Sequence, residues 1–432
     1  MKKIIFTLAI TCYFISSFAQ DADFVSTSNS IRIISLYSNT LSQINKIEAK
    51  ETKVVQIDKS ISQEDFDKIC AKLKWIKKLS FDYDNSYITN ITSIENLSSL
   101  ESLKMRNITS SYTQAIDVTP LAKITSLKEL DVLGTVITNI QALSTLVNLE
   151  KVNVTDSKIS SIDFLQNTPL LKELVLAGSN HTFVNYEPIQ NLKKLRVLDI
   201  QRNTQATDVA IAQLQNLQEL RELDISDCNG ITSIKFIAQS TKLTEFNAAN
   251  CKNIVDFSPI QDLILLKKIN LSGSSISDIS ILSNKTDLKD LNISKTPVSD
   301  ISTLHMCAAL ERLDISNTQV TDITTISRLW KLKRLSIAHT KVASLEALSA
   351  NFELTDLDAS YSQVSDLSPV SQCKKLTNII VYNSKVTDVK ALYSLNKITS
   401  LRVDSSIPLA QIDALKIRFP LIRIDVAESG KL

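Results

Sequence analysis

The sequence predicts an α/β fold: a solenoid of stacked coils, with a curved parallel sheet on its concave face and short helical or 3₁₀ turns on its convex face. Three observations predict it. From Leu266, steps of 22 residues land on Leu288, Leu310, Leu332, Leu354, Leu376 and Ile398, and the surrounding pattern returns each time. Within one repeat, Leu313 and Ile315 alternate as on a strand with one buried face. Val320, Ile323 and Ile326 then fall three apart, as on a tight helical turn. A single coil cannot bury its apolar side, whereas stacked coils share one core.

The register also runs toward the N-terminus, through coil starts at Ile76, Leu100, Leu127, Leu149, Leu171, Leu195, Leu220 and Leu243. This makes about fifteen coils over residues 76–405. The longer coils between Leu171 and Leu243 leave room for a fuller helical segment, Ala210–Leu220 being one. Counting each coil start as position one, the ninth position points inward just after the strand. It holds Thr135, Ser157, Ser179, Asn203, Cys228, Cys251, Ser274, Thr296, Thr318, Thr340, Ser362 and Ser384. Small hydroxyls there can bond turn backbone that would otherwise be buried unpaired.

The pattern L-x-x-L-x-L-x-x-T-x-V-x-x-I-x-x-I, read from Leu310 to Ile326, resembles the 22-residue leucine-rich repeats of the internalin-like and SDS22-like class, of bacterial secreted type. The resemblance covers roughly 76–405 and implies a leucine-rich repeat solenoid. The class usually carries Asn at the ninth position, where this chain mostly has Ser or Thr. No immunoglobulin-like or wall-anchoring module follows the repeats in this sequence, so the resemblance implies a fold and not a role on a cell surface.

The ends differ in chemistry. Met1-Lys2-Lys3, the apolar run 4–18 and the small residues of Ser17-Phe18-Ala19 read as a signal peptide spanning 1–19, cleaved near Ala19. This places the mature chain outside the cell or in the periplasm or cell envelope. Residues 20–75 form an N-terminal segment and cap, with a strand over 53–58 and an amphipathic helix over 62–73 that presents Phe66, Ile69, Cys70 and Leu73. Residues 406–432 form a C-terminal cap. A helix over 408–418 turns Leu409, Ile412, Leu415 and Ile417 inward, and a last strand follows over 421–426.

Composition excludes several functions. Lys and Arg total 48 against 46 Asp and Glu, so no field draws nucleic acid or a membrane. No later apolar stretch is long enough to span a bilayer. Five glycines leave no phosphate-cradling loop, and His181, His305 and His339 sit in no metal spacing. No cofactor, metal or catalytic constellation is expected, and the chain reads as non-enzymatic. Asp278, Asp300, Asp322, Asp366 and Asp388 recur at position thirteen. One carboxylate per coil is too few for calcium, so they read as caps of the outer turns.

Five cysteines remain after signal removal. Cys228 and Cys251 share one inward position on adjacent coils. A rung-to-rung disulfide fits the strand spacing of about 4.8 Å, and two buried thiols fit equally.

Positions three, five and seven project from the sheet. Position five is an Asp/Asn-rich row that suits binding or simple solubility. Two zones stand out along the face. One is acidic: Asp199, Glu222, Asp224 and Glu245. The other brings Arg312, Asp314, Arg334, Asp356 and Asp358 beside His339, Tyr361 and Tyr382. Arg and Tyr are enriched at binding hot spots. The expected function is therefore recognition of a protein partner on the concave face through these eight residues, with a cell-surface carbohydrate-binding module as the alternative.

Overall fold

The structure, a computed structural model, describes residues 24–27, 30–33, 53–57, 61–81, 87–108 and 114–427. The signal peptide expected over 1–19 lies outside these residues, as do the last five residues of the C-terminal cap. The chain divides into two compact units, Met1–Leu192 and Lys193–Leu432.

In the first unit, Phe24–Thr27 pairs antiparallel with Ser30–Ile33. From there every pairing in the sheet is parallel, through Val54–Ile57, Lys78–Phe81, Ser102–Met105, Glu129–Asp131, Lys151–Asn153 and Glu173–Val175. The helix Gln63–Lys72 covers the early strands. The Asp65 N–H donates to the Ser62 side chain at 3.1 Å to cap it, and Phe66, Ile69 and Cys70 turn into the core. Phe66 meets Phe81 with ring centroids 5.7 Å apart.

The second unit is parallel throughout, from Val197–Asp199 to Arg423–Ala427. Leu291, Leu313, Leu335, Leu357, Ile379 and Leu401 stand opposite one another, each 22 residues after the last. Opposite the strands lie short 3₁₀ turns, among them Ser302–Met306, Thr324–Arg328, Glu346–Ala350 and Ser368–Gln372. The longer coil adds the helix Asp208–Ile211 before its 3₁₀ turn Ala212–Asn216.

The repeat's apolar positions fill the core. Leu310, Leu313, Ile315, Val320, Ile323 and Ile326 are all buried, and so is every coil start from Ile76 to Ile398. Burying each such side chain contributes about 1.5–3 kcal/mol. This burial, repeated coil after coil, outweighs any single polar contact in the array.

The ninth-position ladder bonds in two modes. Thr135 and Ser157 donate to carbonyls of the preceding coil, Met105 O at 2.6 Å and Val132 O at 2.8 Å. From Ser274 onward the hydroxyl turns to its own coil. Ser274, Thr296, Thr318, Thr340, Ser362 and Ser384 each donate at 2.6 Å to the carbonyl three residues back. Ser179 departs from expectation and is exposed. In that coil Gly178 takes φ +123°, and His181 fills the inner space with its Nε2 3.0 Å from Ala177 O.

The position-thirteen carboxylates act as caps. Asp278, Asp300, Asp322, Asp366 and Asp388 each accept the backbone N–H two residues ahead at 2.7–2.8 Å, at the start of the outer turn.

The C-terminal helix Leu409–Arg418 corrects the sequence reading. Ile412 and Leu415 are buried, but Leu409 is 76% exposed and Ile417 81%. Leu415 and Ile417 are two residues apart, so a helix cannot turn both inward. The helix seats Gln411 instead, whose Oε1 accepts the Val389 N–H at 2.7 Å.

Candidate binding face

Each strand is three residues long over most of the second unit, and position five explains why. Asp224, Asn270, Asn292, Asp314 and Asp358 each accept the backbone N–H two residues ahead, at 2.8–3.1 Å. This bends the chain out of the strand. The polar row read as a binding or solubility feature thus has a local structural task. Its signal was present as Asx-x-Ser, in Asp224-Ile225-Ser226, Asn292-Ile293-Ser294, Asp314-Ile315-Ser316 and Asp358-Ala359-Ser360. One oxygen of Asp314 and of Asp358 is committed to this turn, which leaves the second to face outward.

Position eight follows, and there the backbone is left-handed. Asn107, Gly134, Asp156, Arg202, Asp227, Asn250, Gly273, Lys295, Asn317 and Asn383 occupy it with φ between +51° and +67°. Gly and Asn tolerate that region, whereas bulky residues do so at a cost. His339 and Tyr361 nevertheless sit there, at φ +54° and +55°. Their rings stack, with centroids 4.0 Å apart and planes 10° apart. Tyr382, at position seven of the next coil, meets Tyr361 edge-on at 5.5 Å, and Arg402 lies 5.1 Å from the Tyr382 ring. Sequence reasoning missed Arg402 and the left-handed column.

Tyr382 is only 4% exposed, which corrects its placement outside the core. Its row holds small residues in the preceding coils, Ser316, Ala338 and Ser360, and the Tyr361 ring and Arg402 lie against it. Desolvation and the neighbouring Tyr361 push the Tyr382 phenol above its usual range.

Position three carries charge along the same face. Arg312 and Arg334 stand opposite each other on adjacent strands, as expected. Arg312 Nε lies 2.7 Å from Asp290 Oδ2. Arg334 Nε is 3.6 Å from Asp356 Oδ2, and its side chain is 67% exposed, so it is the more available guanidinium. Asp314 and Asp358 flank Ser336 in the next column. A hollow of about 290 Å³ opens over Arg312, Asp314, Arg334, Asp356 and Asp358.

The acidic zone lies under a separate hollow of about 490 Å³, lined by Asp199, Glu222, Asp224 and Glu245. Burial, followed by the nearby Asp224 charge, pushes the Asp199 carboxyl up. Lys268 Nζ already neutralises Glu245 at 2.7 Å. Among the described residues, no group of His, Cys, Asp or Glu could hold a metal ion. No helix among them is long and apolar enough to cross a membrane.

Cys228 and Cys251 are free thiols, both buried. Each donates to a carbonyl of the preceding coil at 3.1 Å, Cys228 to Ile200 O and Cys251 to Ile225 O. Side chains pointing the same way on neighbouring rungs thus continue the hydroxyl ladder in sulfur and do not bridge.

No family model matches the sequence, and no curated protein does. Solved structures match. An internalin of Listeria monocytogenes is 25% identical over 74% of this chain and 88% of its own, with a TM-score of 0.61. A leucine-rich repeat protein of Leptospira interrogans is 19% identical over 93% of this chain and 100% of its own, with a TM-score of 0.63. The leucine-rich repeat ectodomain of the Arabidopsis thaliana membrane receptor kinase GASSHO1/SCHENGEN3 is 14% identical, and 91% of this chain matches 52% of that one, with a TM-score of 0.52. That ectodomain was solved in complex with CASPARIAN STRIP INTEGRITY FACTOR 2. The last two likenesses concern the fold alone. The fold is a leucine-rich repeat solenoid. This chain has a leucine-rich repeat fold similar to that of the internalin.

Proposed function

We propose that the protein is an exported, non-enzymatic binding protein that holds a protein partner on the strand face of its second unit, around Arg334, His339 and Tyr361. The observation that carries this reading is the His339–Tyr361 stack, two aromatic rings on the left-handed column that the other coils fill with Asn, Gly, Asp, Arg or Lys. The half-free guanidinium of Arg334 and the outward oxygens of Asp314 and Asp358 add directional polar contacts beside it. Rigid strands limit the ordering cost of binding. Export rests on the charged start, apolar run and small-residue site of the first 19 residues. A mature N-terminus at Gln20 in material from the native source tests that part.

The partner is sought by pull-down with the mature chain as bait, followed by mass spectrometry. Arg334→Ala and Tyr361→Ala should each weaken binding of that partner by about tenfold or more, as truncated hot-spot residues do. Arg202→Ala is the control, because Arg202 occupies the same coil position at φ +59°, far along the sheet. Equal binding by all three variants overturns the assignment of this patch.

A further inference from the structure

The last strand, Arg423–Ala427, pairs on one side with Ser400–Asp404. Among the described residues no strand pairs with its other edge. The Arg423 N–H donates to Thr399 O at 2.8 Å, and Ala427 O accepts the Ser405 N–H at 2.9 Å. Odd-numbered residues therefore turn their backbone groups inward, and Ile424 and Val426 turn theirs outward. An open edge is a template for another strand, and natural edges are guarded with Pro, bulges or lysines. This one has none of these in Arg423-Ile424-Asp425-Val426-Ala427. Apolar surface surrounds it: Val426 is 43% exposed, and Leu421, just before the strand, is 93% exposed.

We propose that this edge receives a second copy of the chain, paired antiparallel about a two-fold axis through Ile424. Charge selects both the occupant and the register. With Ile424 on the axis, outward-facing residues meet outward-facing residues, as the ladder requires. Arg423 of each copy then stands opposite Asp425 of the other, so two opposite-charge pairs form. Ile422 meets Val426 twice, which covers apolar surface now in water. A two-fold through Asp425 has the same parity but sets two carboxylates face to face, which is unfavourable, and one through Val426 puts Asp425 opposite Ala427 and forms neither charge pair. Asp425 already lies 3.2 Å from Arg402 Nε within its own chain, so in the pair it sits between two guanidinium groups. A two-fold interface uses one patch on both copies and closes at two, so no filament grows.

The purified protein is tested by light scattering coupled to size exclusion over a range of concentrations. The expected species has twice the chain mass. Arg423→Glu and Asp425→Lys should each weaken association by about tenfold or more, since each turns two attractive pairs into like-charge contacts. The double variant Arg423→Glu, Asp425→Lys, made together with Arg402→Gln so that the new lysine meets no cation of its own chain, should recover the dimer, a recovery that a misfolded cap could not give. A monomer at every concentration, single variants that remain dimeric, a double variant that stays monomeric, or assemblies that grow beyond two would each overturn the proposal. These outcomes are independent of the strand-face reading, because no partner is present.

Discussion

The imidazole of His339 lies flat on the ring of Tyr361, 4.0 Å between centroids, and both residues sit at positive φ. A left-handed conformation costs a residue with a Cβ about 1–2 kcal/mol. An aromatic pair contributes about 0.5–1.5 kcal/mol beyond burial. Two such residues together cost about 2–4 kcal/mol, more than the pair returns, so the stack does not stabilise the fold. Tyr361→Asn, which restores the residue type of Asn317 and Asn383, should leave the thermal unfolding midpoint unchanged or raise it. A clear fall in the midpoint would make Tyr361 a structural residue.

Tyr382 should behave in the opposite way. It is buried, it meets Tyr361 edge-on, and Arg402 lies over it. Tyr382→Ala opens a void where no neighbour can fill in, and large-to-small changes in packed sites are destabilising. The expected outcome is a lower unfolding midpoint than that of Tyr361→Ala, measured side by side. If the two variants unfold alike, the burial of Tyr382 contributes nothing.

Asp358 separates turn-making from binding. Its Oδ1 accepts the Ser360 N–H at 3.0 Å and the Ser360 hydroxyl at 2.6 Å. Asp358→Ala should cost about 1 kcal/mol, the usual loss when a local cap is removed. Asp358→Asn keeps a carbonyl oxygen in place and should cost much less. Urea unfolding of both variants checks this, and equal losses would mean that charge, not the cap, matters at this position.

Much of the fold was legible because a solenoid repeats its demands. Every coil buries the same positions, so a 22-residue step from Leu266 reports strand, turn and core together. The strand face was harder to read. Alternation shows that Asp314 points away from the core, but not that its carboxylate bends back to Ser316 N–H. The left-handed column was visible in Gly134, Asn250, Gly273, Asn317 and Asn383, and Asp156, Arg202, Asp227, Lys295, His339 and Tyr361 hid it by occupying the same place. Tyr382 was misplaced because alternation does not report the Tyr361 ring and the Arg402 guanidinium that lie against it. Ile417 was misplaced because the cap has no sister coil to copy.

The buried thiols should be chemically silent. Burial pushes Cys228 up to about 12 and Cys251 up to about 11, so almost no thiolate exists at neutral pH. Both should resist alkylation in the native protein and react fully once it is unfolded, as mapped by mass spectrometry. Fast native labelling, or a 228–251 crosslink in unreduced peptides, would contradict the thiol-to-carbonyl ladder.

Lys285 is fully buried at a coil position that Leu263, Cys307 and Leu329 fill in nearby coils. Its ammonium donates to Gln261 O and to Asn284 Oδ1, both at 2.6 Å. Desolvation outweighs these bonds and pulls the amine from 10.5 down to about 8. In the unfolded chain the amine keeps its proton up to the ordinary value, while in the folded chain it releases it near 8. Between those limits the unfolded state binds more protons, so stability should rise with pH from about 8 to 10.5 and level off above. Below that window both states are charged, and the full cost of burying the ammonium remains. Lys285→Leu should abolish the rise and add about 1 kcal/mol of stability at neutral pH, because an apolar side chain carries no desolvation penalty. Gln261 O would stay satisfied by Asn284 Nδ2, which donates to it at 3.0 Å. Chemical unfolding of both proteins at pH 7 and at pH 10 is the measurement. A variant less stable than the parent at pH 7 would mean that the ammonium's two hydrogen bonds outweigh its burial.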